Sequence, residues 1–313
     1  MSDSAERDAA SRERLRAQLS TFATEAVREE HRDLDTLSTG RLVKLMNEQD
    51  QLVPAAVAQV LPSVASAIDD ITDRMRRGGR LIYIGAGTPG RLGVLDASEC
   101  PPTFNVDPSL VVGIIAGGDG AIRMAVENAE DDFEGGAQGL RDIGLTAQDA
   151  VVGISASGRT PYVMGALEYA RSIGALTVAV ACNSGAAIGR GADHAIEVVV
   201  GAEFVAGSTR LKAGTAQKLV LNMISTLTMI RLGKTYGNIM VDLRVTNEKL
   251  RARAERAVML VTECTPAEAA AALAASGGSV KTAILMLLRN LGADDARAAL
   301  DSKRSLRAAL DAV

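Results

Sequence analysis

Short apolar runs alternate with helical segments from Arg80 to about residue 200. The runs cover 81–84, 110–116, 150–154, 176–181 and 195–200. Unbroken apolar runs of this length are typical of strands buried on both faces, as in a parallel sheet covered by helices. The run at 176–181 also fits a buried helix, but Gly174 before it and Asn-Ser-Gly after it favour a strand. The pattern therefore predicts an α/β fold with five parallel strands.

Helices are predicted on the amino-terminal side of this sheet. Ser38 stands in the N-cap position of a short helix through Met46, and Pro54 suits the first turn of a longer one. Apolar residues recur every three or four positions over 57–75, which indicates one buried face. Pro62 should kink or restart this helix because proline has no N–H to donate.

The chain after the predicted sheet is expected to be mostly helical. A helix rich in Leu and Met is predicted over 213–232, followed by an irregular segment over 236–246. The stretch 265–268 has the form of a capping box, with Pro266 at the first helical position. Gly277 and its neighbour Gly278 should end that helix, and two or three further short helices complete a small bundle.

These elements divide the chain into four predicted regions. A length of 313 residues exceeds the usual size of one compact domain, so an added smaller unit is expected. The regions are a charged tail at 1–35, N-terminal helices at 36–78, the sheet domain at 79–235 and the C-terminal helical bundle at 247–313.

Composition and charge exclude several classes of partner. The formal net charge is −4, which provides no broad positive field to attract a nucleic-acid backbone or an anionic membrane. Trp is absent and aromatic residues make up only 3% of the chain, which argues against base-stacking platforms. No stretch reaches the roughly 18 apolar residues of a spanning helix, and the charged N-terminus lacks a signal-peptide core. We therefore predict a cytoplasmic protein that binds neither nucleic acid nor membrane.

Cysteine and histidine usage narrows the possible chemistry. Cys100, Cys182 and Cys264 lie far apart and show no Cys-x-x-Cys spacing, so we expect reduced thiols. Only His31 and His194 are present, too few for a histidine-rich metal site. No metal or cofactor is predicted, and carboxylates, hydroxyls and backbone amides are the candidate functional groups.

A glycine-rich loop directly follows the first predicted strand and opens a helix. Its residues, 85–91, read Gly-Ala-Gly-Thr-Pro-Gly-Arg. Such a loop places free amides and a positive helix end at the carboxyl edge of the sheet, where they attract phosphate, and Gly87, Thr88 and Gly90 are the candidates. A tight turn that only permits close packing is an equally good interpretation. A dinucleotide site fits less well, because no acidic residue ends the second strand to hold a ribose.

Two further polar loops follow the third and fifth strands. The first, Ser-Ala-Ser-Gly-Arg-Thr-Pro at 155–161, offers hydroxyls that could donate to phosphate oxygens, although one of them could simply cap the helix. The second spans 201–215. As an alternative to ligand binding, its charged residues could be surface groups and its serine could cap the following helix. The candidate ligand-binding residues are Ser155, Ser157, Gly158, Arg159 and Thr160 in the first, and Glu203, Ser208, Thr209 and Lys212 in the second.

Three hydroxyl-bearing loops on a five-stranded parallel sheet resemble the sugar isomerase (SIS) fold, a flavodoxin-like architecture whose members bind phosphosugars. Asp-Ala-Ser-Glu-Cys-Pro-Pro-Thr-Phe at 96–104, Glu-Asn-Ala-Glu-Asp at 127–131 and Gly-Ser-Thr-Arg-Leu-Lys at 207–212 are more specific. With these motifs the chain, from about Leu34 onward, resembles the N-acetylmuramic acid 6-phosphate etherases.

The resemblance implies removal of the D-lactyl ether from N-acetylmuramic acid 6-phosphate during reuse of cell-wall amino sugars. It places the two catalytic carboxylates of the family on Glu99 and Glu130. It also implies an elimination followed by addition of water, which carboxylates can catalyse without a metal. The family usually carries Ser where this chain has Pro89, so one hydroxyl and one amide that could meet phosphate are missing.

Two alternatives remain open. A phosphosugar isomerase of the SIS class would use the same loops with a single base. The other alternative is a sugar-phosphate sensor that does not catalyse a reaction, because the glucokinase regulatory proteins resemble the etherase family across the same segments. Apolar N-terminal helices and the Leu- and Met-rich helix also predict a homodimer.

Overall fold

The computed structural model of the 313-residue chain describes residues 23–243, 248–303 and 305–312. Most of the predicted charged tail lies outside these residues, and its described part forms short 3-10 turns at Ala23–Glu25, Glu29–His31 and Leu34–Thr36. The described residues form two compact units, one of 23–96 with 112–224 and one of 97–111 with 225–312. This grouping into two units does not test the division into four regions, which stays a prediction.

The described part of the first unit begins with the three 3-10 turns, and three α-helices then precede the sheet. These are α1 (Thr39–Asp50), α2 (Val53–Ala58) and α3 (Leu61–Arg76). The Ser38 hydroxyl accepts from the Arg41 amide, so Ser38 caps α1 as predicted, although α1 runs four residues beyond Met46. Pro62 lies in the first turn of α3, where a missing N–H costs no helical hydrogen bond, so it restarts the helix.

The sheet has five parallel strands, as predicted. They are β1 (Leu81–Gly85), β2 (Val111–Ile115), β3 (Ala150–Ser155), β4 (Leu176–Ala181) and β5 (His194–Glu197). The strand order is β2-β1-β3-β4-β5. The chain adds β2 on one side of β1 and then β3 on the other side, so β1 and β3 form the switch point of the sheet. Ligands of doubly wound sheets bind at the carboxyl ends of such a pair of strands.

Helices follow the strands and cover the sheet. They are α4 (Gly87–Phe104), α5 (Gly120–Arg123), α6 (Phe133–Asp142), α7 (Pro161–Ser172) and α8 (Lys212–Arg231). Helix α4 approaches the sheet very closely at its start: a Cβ atom at Gly90 would lie 2.6 Å from the carbonyl oxygen of Gly85. One turn later the helix backbone meets β2, because a Cβ at Gly113 would lie 2.6 Å from the Cα of Val94.

An ion pair between half-buried Arg80 and buried Asp149 joins the starts of β1 and β3, at the edge opposite the polar loops. The Asp149 carboxylate accepts from the backbone amide and Nη2 of Arg80, both at 2.8 Å, and from the Thr146 amide at 2.9 Å. Burial alone would raise the pKa of Asp149, but these hydrogen bonds outweigh burial and hold the pKa below its ordinary value. The ion pair therefore holds the starts of the neighbouring strands β1 and β3 together.

The second unit is mainly helical. Its carboxyl-terminal part contains a two-stranded antiparallel ribbon, β6 (Thr235–Tyr236) with β7 (Ile239–Met240). The helices α9 (Glu248–Thr262), α10 (Pro266–Ala275), α11 (Val280–Arg289), α12 (Ala293–Lys303) and α13 (Leu306–Ala312) follow. Thr265 and Glu268 form the predicted capping box at α10. Gly277 and Gly278 follow the end of α10 with φ of +69° and +86°, as expected for a helix stop.

Across the described ranges, no single helix combines the length and apolar composition needed to cross a membrane, although two bent helix pairs do so together. These pairs are Thr39–Ala58 with Leu61–Arg76 and Glu248–Thr262 with Pro266–Ala275.

Candidate active site

The first polar loop joins β1 to α4, and its predicted binding residues have different surroundings. Gly87 is exposed and adopts a φ of +58°, which favours glycine. Thr88 is half-buried, with its methyl group beside Gly214 at the start of α8. Gly90 is buried, and its amide donates to the Ala86 carbonyl at 3.4 Å. Gly87 and Thr88 are therefore the better placed of the three to meet a ligand.

Hydroxyl groups organise the second loop, between β3 and α7. The buried Ser155 hydroxyl lies 2.7 Å from the Thr160 hydroxyl and accepts from the Gly158 amide at 3.0 Å. The Ser157 hydroxyl accepts from the Arg159 amide at 3.3 Å. Ser157 and Arg159 line a cavity of about 470 Å³, whereas Ser155 holds the loop in shape.

The third loop leads into α8 and is held by a buried carboxylate. Both Glu203 oxygens accept from backbone amides of the first turn of α8, those of Lys212 and Ala213, at 2.9 Å each. A carboxylate at this position is favourable because it meets the unpaired amides at the positive end of the helix. Burial nevertheless raises the pKa of Glu203 above its ordinary value, against the lowering effect of these two hydrogen bonds.

Lys212 is completely buried, and its ammonium group faces the protein. The Nζ atom donates to the Val200 carbonyl at 2.9 Å and to Oε1 of Gln49 at 3.4 Å. Burial, followed by repulsion from Arg28, lowers the pKa of Lys212. Ser208 and Thr209, on the same loop, are half-buried. Glu203 and Lys212 thus stabilise the third loop, and a role for them in ligand binding stays a prediction.

Glu130 lies on a single 3-10 turn, Ala129–Asp131, in the first unit. Its neighbour Ala129 packs against the core of the sheet domain, and the turn contacts α7, the helix that follows the second loop. Glu130 itself is exposed and lines a cavity of about 210 Å³. The first loop contributes Gly87 to the same cavity. The structure therefore brings Glu130 together with the glycine-rich loop.

The acidic residues around Glu130 have different partners. Asp132 caps α6 by accepting from the Gly135 amide at 2.8 Å, and Glu134 forms an ion pair with Arg141. Within the described residues, Glu130 has no hydrogen bond or ion pair of its own. The turn fixes the backbone of Glu130, and its carboxylate is exposed.

Glu99 lies near the carboxyl end of α4 and belongs to the second unit. Its side chain is exposed, while the adjacent Cys100 and the later Phe104 are buried. Pro101 and Pro102 lie within the helix after it. The helix thus fixes the backbone of Glu99 through buried neighbours and leaves the carboxylate in contact with solvent.

The cavity beside Glu130 also contains residues that were not selected from the sequence. Arg91 lines it, as does Asn128, whose φ of +59° is unusual for a residue other than glycine. Helical spacing could have indicated Arg91, because positions four apart share one face and Gly87 precedes it by four. Asn128 belongs to the motif at 127–131, but that motif does not indicate the left-handed turn that places Asn128 at the cavity.

Comparison with known proteins gives two family matches. Residues 63–171 match the N-terminal SIS domain of the glucokinase regulatory protein, and residues 141–227 match the SIS domain. An N-acetylmuramic acid 6-phosphate etherase from Streptomyces avermitilis is 60% identical over 299 residues, which is 95% of this chain and 96% of that protein. The chain belongs to the N-acetylmuramic acid 6-phosphate etherase family.

A second member of the etherase family, from Escherichia coli, is 56% identical over 91% of this chain and 95% of its own length. Among solved structures, a phosphoheptose isomerase from Francisella tularensis covers 62% of this chain with all of its own, at 16% identity and a TM-score of 0.49. The SIS fold expected from the sequence is confirmed by the domain match and the parallel sheet.

Proposed function

We propose that this chain cleaves the D-lactyl ether of N-acetylmuramic acid 6-phosphate, giving D-lactate and N-acetylglucosamine 6-phosphate. The observation that carries the proposal is 60% identity to an etherase over 95% of the chain. The sheet order and its polar loops support a phosphosugar ligand, because the loops after β1 and β3 meet at the switch point of the sheet. The reaction would serve the recycling of cell-wall amino sugars.

The proposed mechanism is an elimination followed by a hydration. A base removes the proton at C2 of the open-chain sugar, the C3–oxygen bond breaks, and lactate leaves with a proton on its hydroxyl oxygen. Water then adds to the unsaturated aldehyde, with hydroxyl at C3 and hydrogen at C2. Each step takes one proton away and delivers one, which a pair of positioned carboxylates can do.

We assign this acid–base work to Glu99 and Glu130. Glu99 would assist the departure of lactate, and Glu130 would handle the C2 proton or the incoming water. For Glu130 the support is its place in the cavity beside Gly87 and its lack of a structural partner among the described residues. For Glu99 the support is its exposed position on α4, within the motif that resembles the etherases.

The direct test of the proposed function is a D-lactate assay with N-acetylmuramic acid 6-phosphate in deuterated, ¹⁸O-enriched water. We expect lactate release, deuterium at C2 and labelled oxygen at C3 of the sugar, with none of that oxygen in the lactate hydroxyl. Label in the lactate hydroxyl would mean that water attacks the lactyl carbon, and the elimination would have to be abandoned. Formation of a ketose phosphate would instead indicate an isomerase.

The match to the glucokinase regulatory protein over residues 63–171 favours one second candidate, a sugar-phosphate sensor. A sensor would bind N-acetylmuramic acid 6-phosphate without releasing lactate. Binding measured by calorimetry, together with no lactate over a long incubation, would replace the enzyme proposal with this one.

Glu130→Gln and Glu99→Gln should each lower kcat by about 10² to 10⁴, the usual contribution of a general acid or base. Both substitutions keep the side-chain size, so the circular dichroism spectrum should be unchanged. Glu134→Gln is the matched control, because Glu134 lies four residues from Glu130 and pairs with Arg141 on an exposed surface. A kcat for Glu130→Gln equal to that of this control would remove Glu130 from the mechanism.

Phosphate recognition is proposed to rest on the second loop more than on the loop containing Pro89. Ser157 is the hydroxyl of that loop that faces a cavity. Losing one charge-assisted hydrogen bond costs about 1.5–3 kcal/mol, so Ser157→Ala should weaken substrate binding about ten- to a hundredfold. Wild-type kinetics for Ser157→Ala, combined with impaired kinetics for Thr88→Ala, would assign the phosphate to the first loop instead.

A homodimer is the proposed assembly. Its support is the set of apolar side chains exposed on the N-terminal helices and the turn between them, among them Val43, Leu52 and Leu61, of which Val43 is 64% exposed. Light scattering at working concentration should give twice the 32.6 kDa mass of the chain. A mass of one chain would contradict this assembly.

A further inference from the structure

The cavity beside Glu130 contains a guanidinium group that the proposed acid–base steps do not use. Arg91, on the second turn of α4, is the only cationic residue among the described residues that line this cavity. Its Nε atom donates to the carbonyl oxygen of Ile122 at 2.9 Å. This bond ties the guanidinium to the segment that connects β2 with Glu130, and so limits its orientation.

The terminal nitrogens of Arg91 remain available. Arginine carries five N–H donors, and the bond to Ile122 uses the one on Nε. Glu127 and Glu130 line the same cavity, yet within the described residues the structure pairs Arg91 with neither carboxylate. An arginine held by its Nε presents the planar fork of its Nη atoms, a geometry that matches a carboxylate through two parallel hydrogen bonds.

We infer that Arg91 binds the carboxylate of the lactyl group and so selects the substrate and positions its C3 substituent. This inference rests on the proposed function. The lactyl group, –O–CH(CH₃)–COO⁻, carries one methyl group and one carboxylate on its central carbon. The cavity offers the matching surfaces, because Ala121, Ala125 and Val126 line it together with Arg91.

The position of Arg91 favours the carboxylate over the 6-phosphate. The lactyl carboxylate is three bonds from C3, whereas the phosphate lies at the other end of the open-chain sugar. Glu130, the group assigned to chemistry at C2 and C3, lines the same cavity as Arg91. The hydroxyl-bearing residue Ser157 lines a different cavity, so the two anionic groups of the substrate would have separate partners.

The test compares two ligands that differ only in the lactyl group. Arg91→Ala should lower kcat/KM for N-acetylmuramic acid 6-phosphate about ten- to a hundredfold, the loss expected for one charge-assisted pair. The inhibition constant of N-acetylglucosamine 6-phosphate, which keeps the sugar and phosphate, should change less than twofold. Arg91→Lys keeps the charge but loses the fork, so its kcat/KM should lie between wild type and Arg91→Ala.

A matched control and a modified substrate complete the design. Arg123→Ala removes an exposed arginine that does not line the cavity, and both constants should stay at the wild-type values. Wild-type enzyme should prefer the natural substrate over its lactyl carboxamide by at least tenfold, and Arg91→Ala should lose most of that preference.

The outcomes separate the inference from the proposed function. If wild-type protein releases no lactate, the proposed function fails whatever Arg91 does. If wild type is active and Arg91→Ala keeps its kcat/KM, the inference alone fails. An equal weakening of substrate and N-acetylglucosamine 6-phosphate would assign Arg91 to the phosphate or to folding, and would also overturn the inference.

Discussion

The close approach of α4 to the sheet is the constraint on which the rest of this site depends. A Cβ at Gly90 would overlap the carbonyl of Gly85, and one at Gly113 would overlap the helix backbone at Val94. Any larger residue there would push the helix away from β1 and β2. Gly87 and Arg91 lie on the first two turns of this helix, so a displacement of the helix would carry both away from the turn that holds Glu130.

The carboxylates of this chain have two different kinds of environment. Glu203 and Asp149 are buried and receive hydrogen bonds from backbone amides, which holds a helix start and a strand start in place. Glu130 and Glu99 are exposed side chains on well-anchored backbone. Protonating the first kind would cost the hydrogen bonds that hold these two starts in place. Acidic residues of similar appearance in the sequence therefore have different surroundings in the fold.

The sheet was the most predictable part of the chain, because buried parallel strands leave unbroken apolar runs. Four of the five strands lie within one residue of their predicted ends, but β5 ends at Glu197 rather than at residue 200. The register sets this end, because Glu197 lies opposite Ala181, the last residue of β4, and among the described residues β4 is the only strand beside β5. Such a tertiary pairing has no signature in the local pattern. The same limit applies to Lys212, where a surface charge and a buried ammonium give the same sequence pattern.

Pro89 stands where the etherases usually carry Ser, and its position in α4 has a consequence for how the first loop meets a ligand. It is buried in the first turn of that helix, where its ring fixes one backbone torsion. A chain with fewer accessible conformations loses less conformational entropy when it folds. For the same reason, a restricted loop loses less entropy when it closes around a bound molecule. The loop therefore lacks one amide donor but has a more rigid backbone. A molecule that bound at this loop would meet a surface that is already shaped, and its binding would require little further ordering of the backbone.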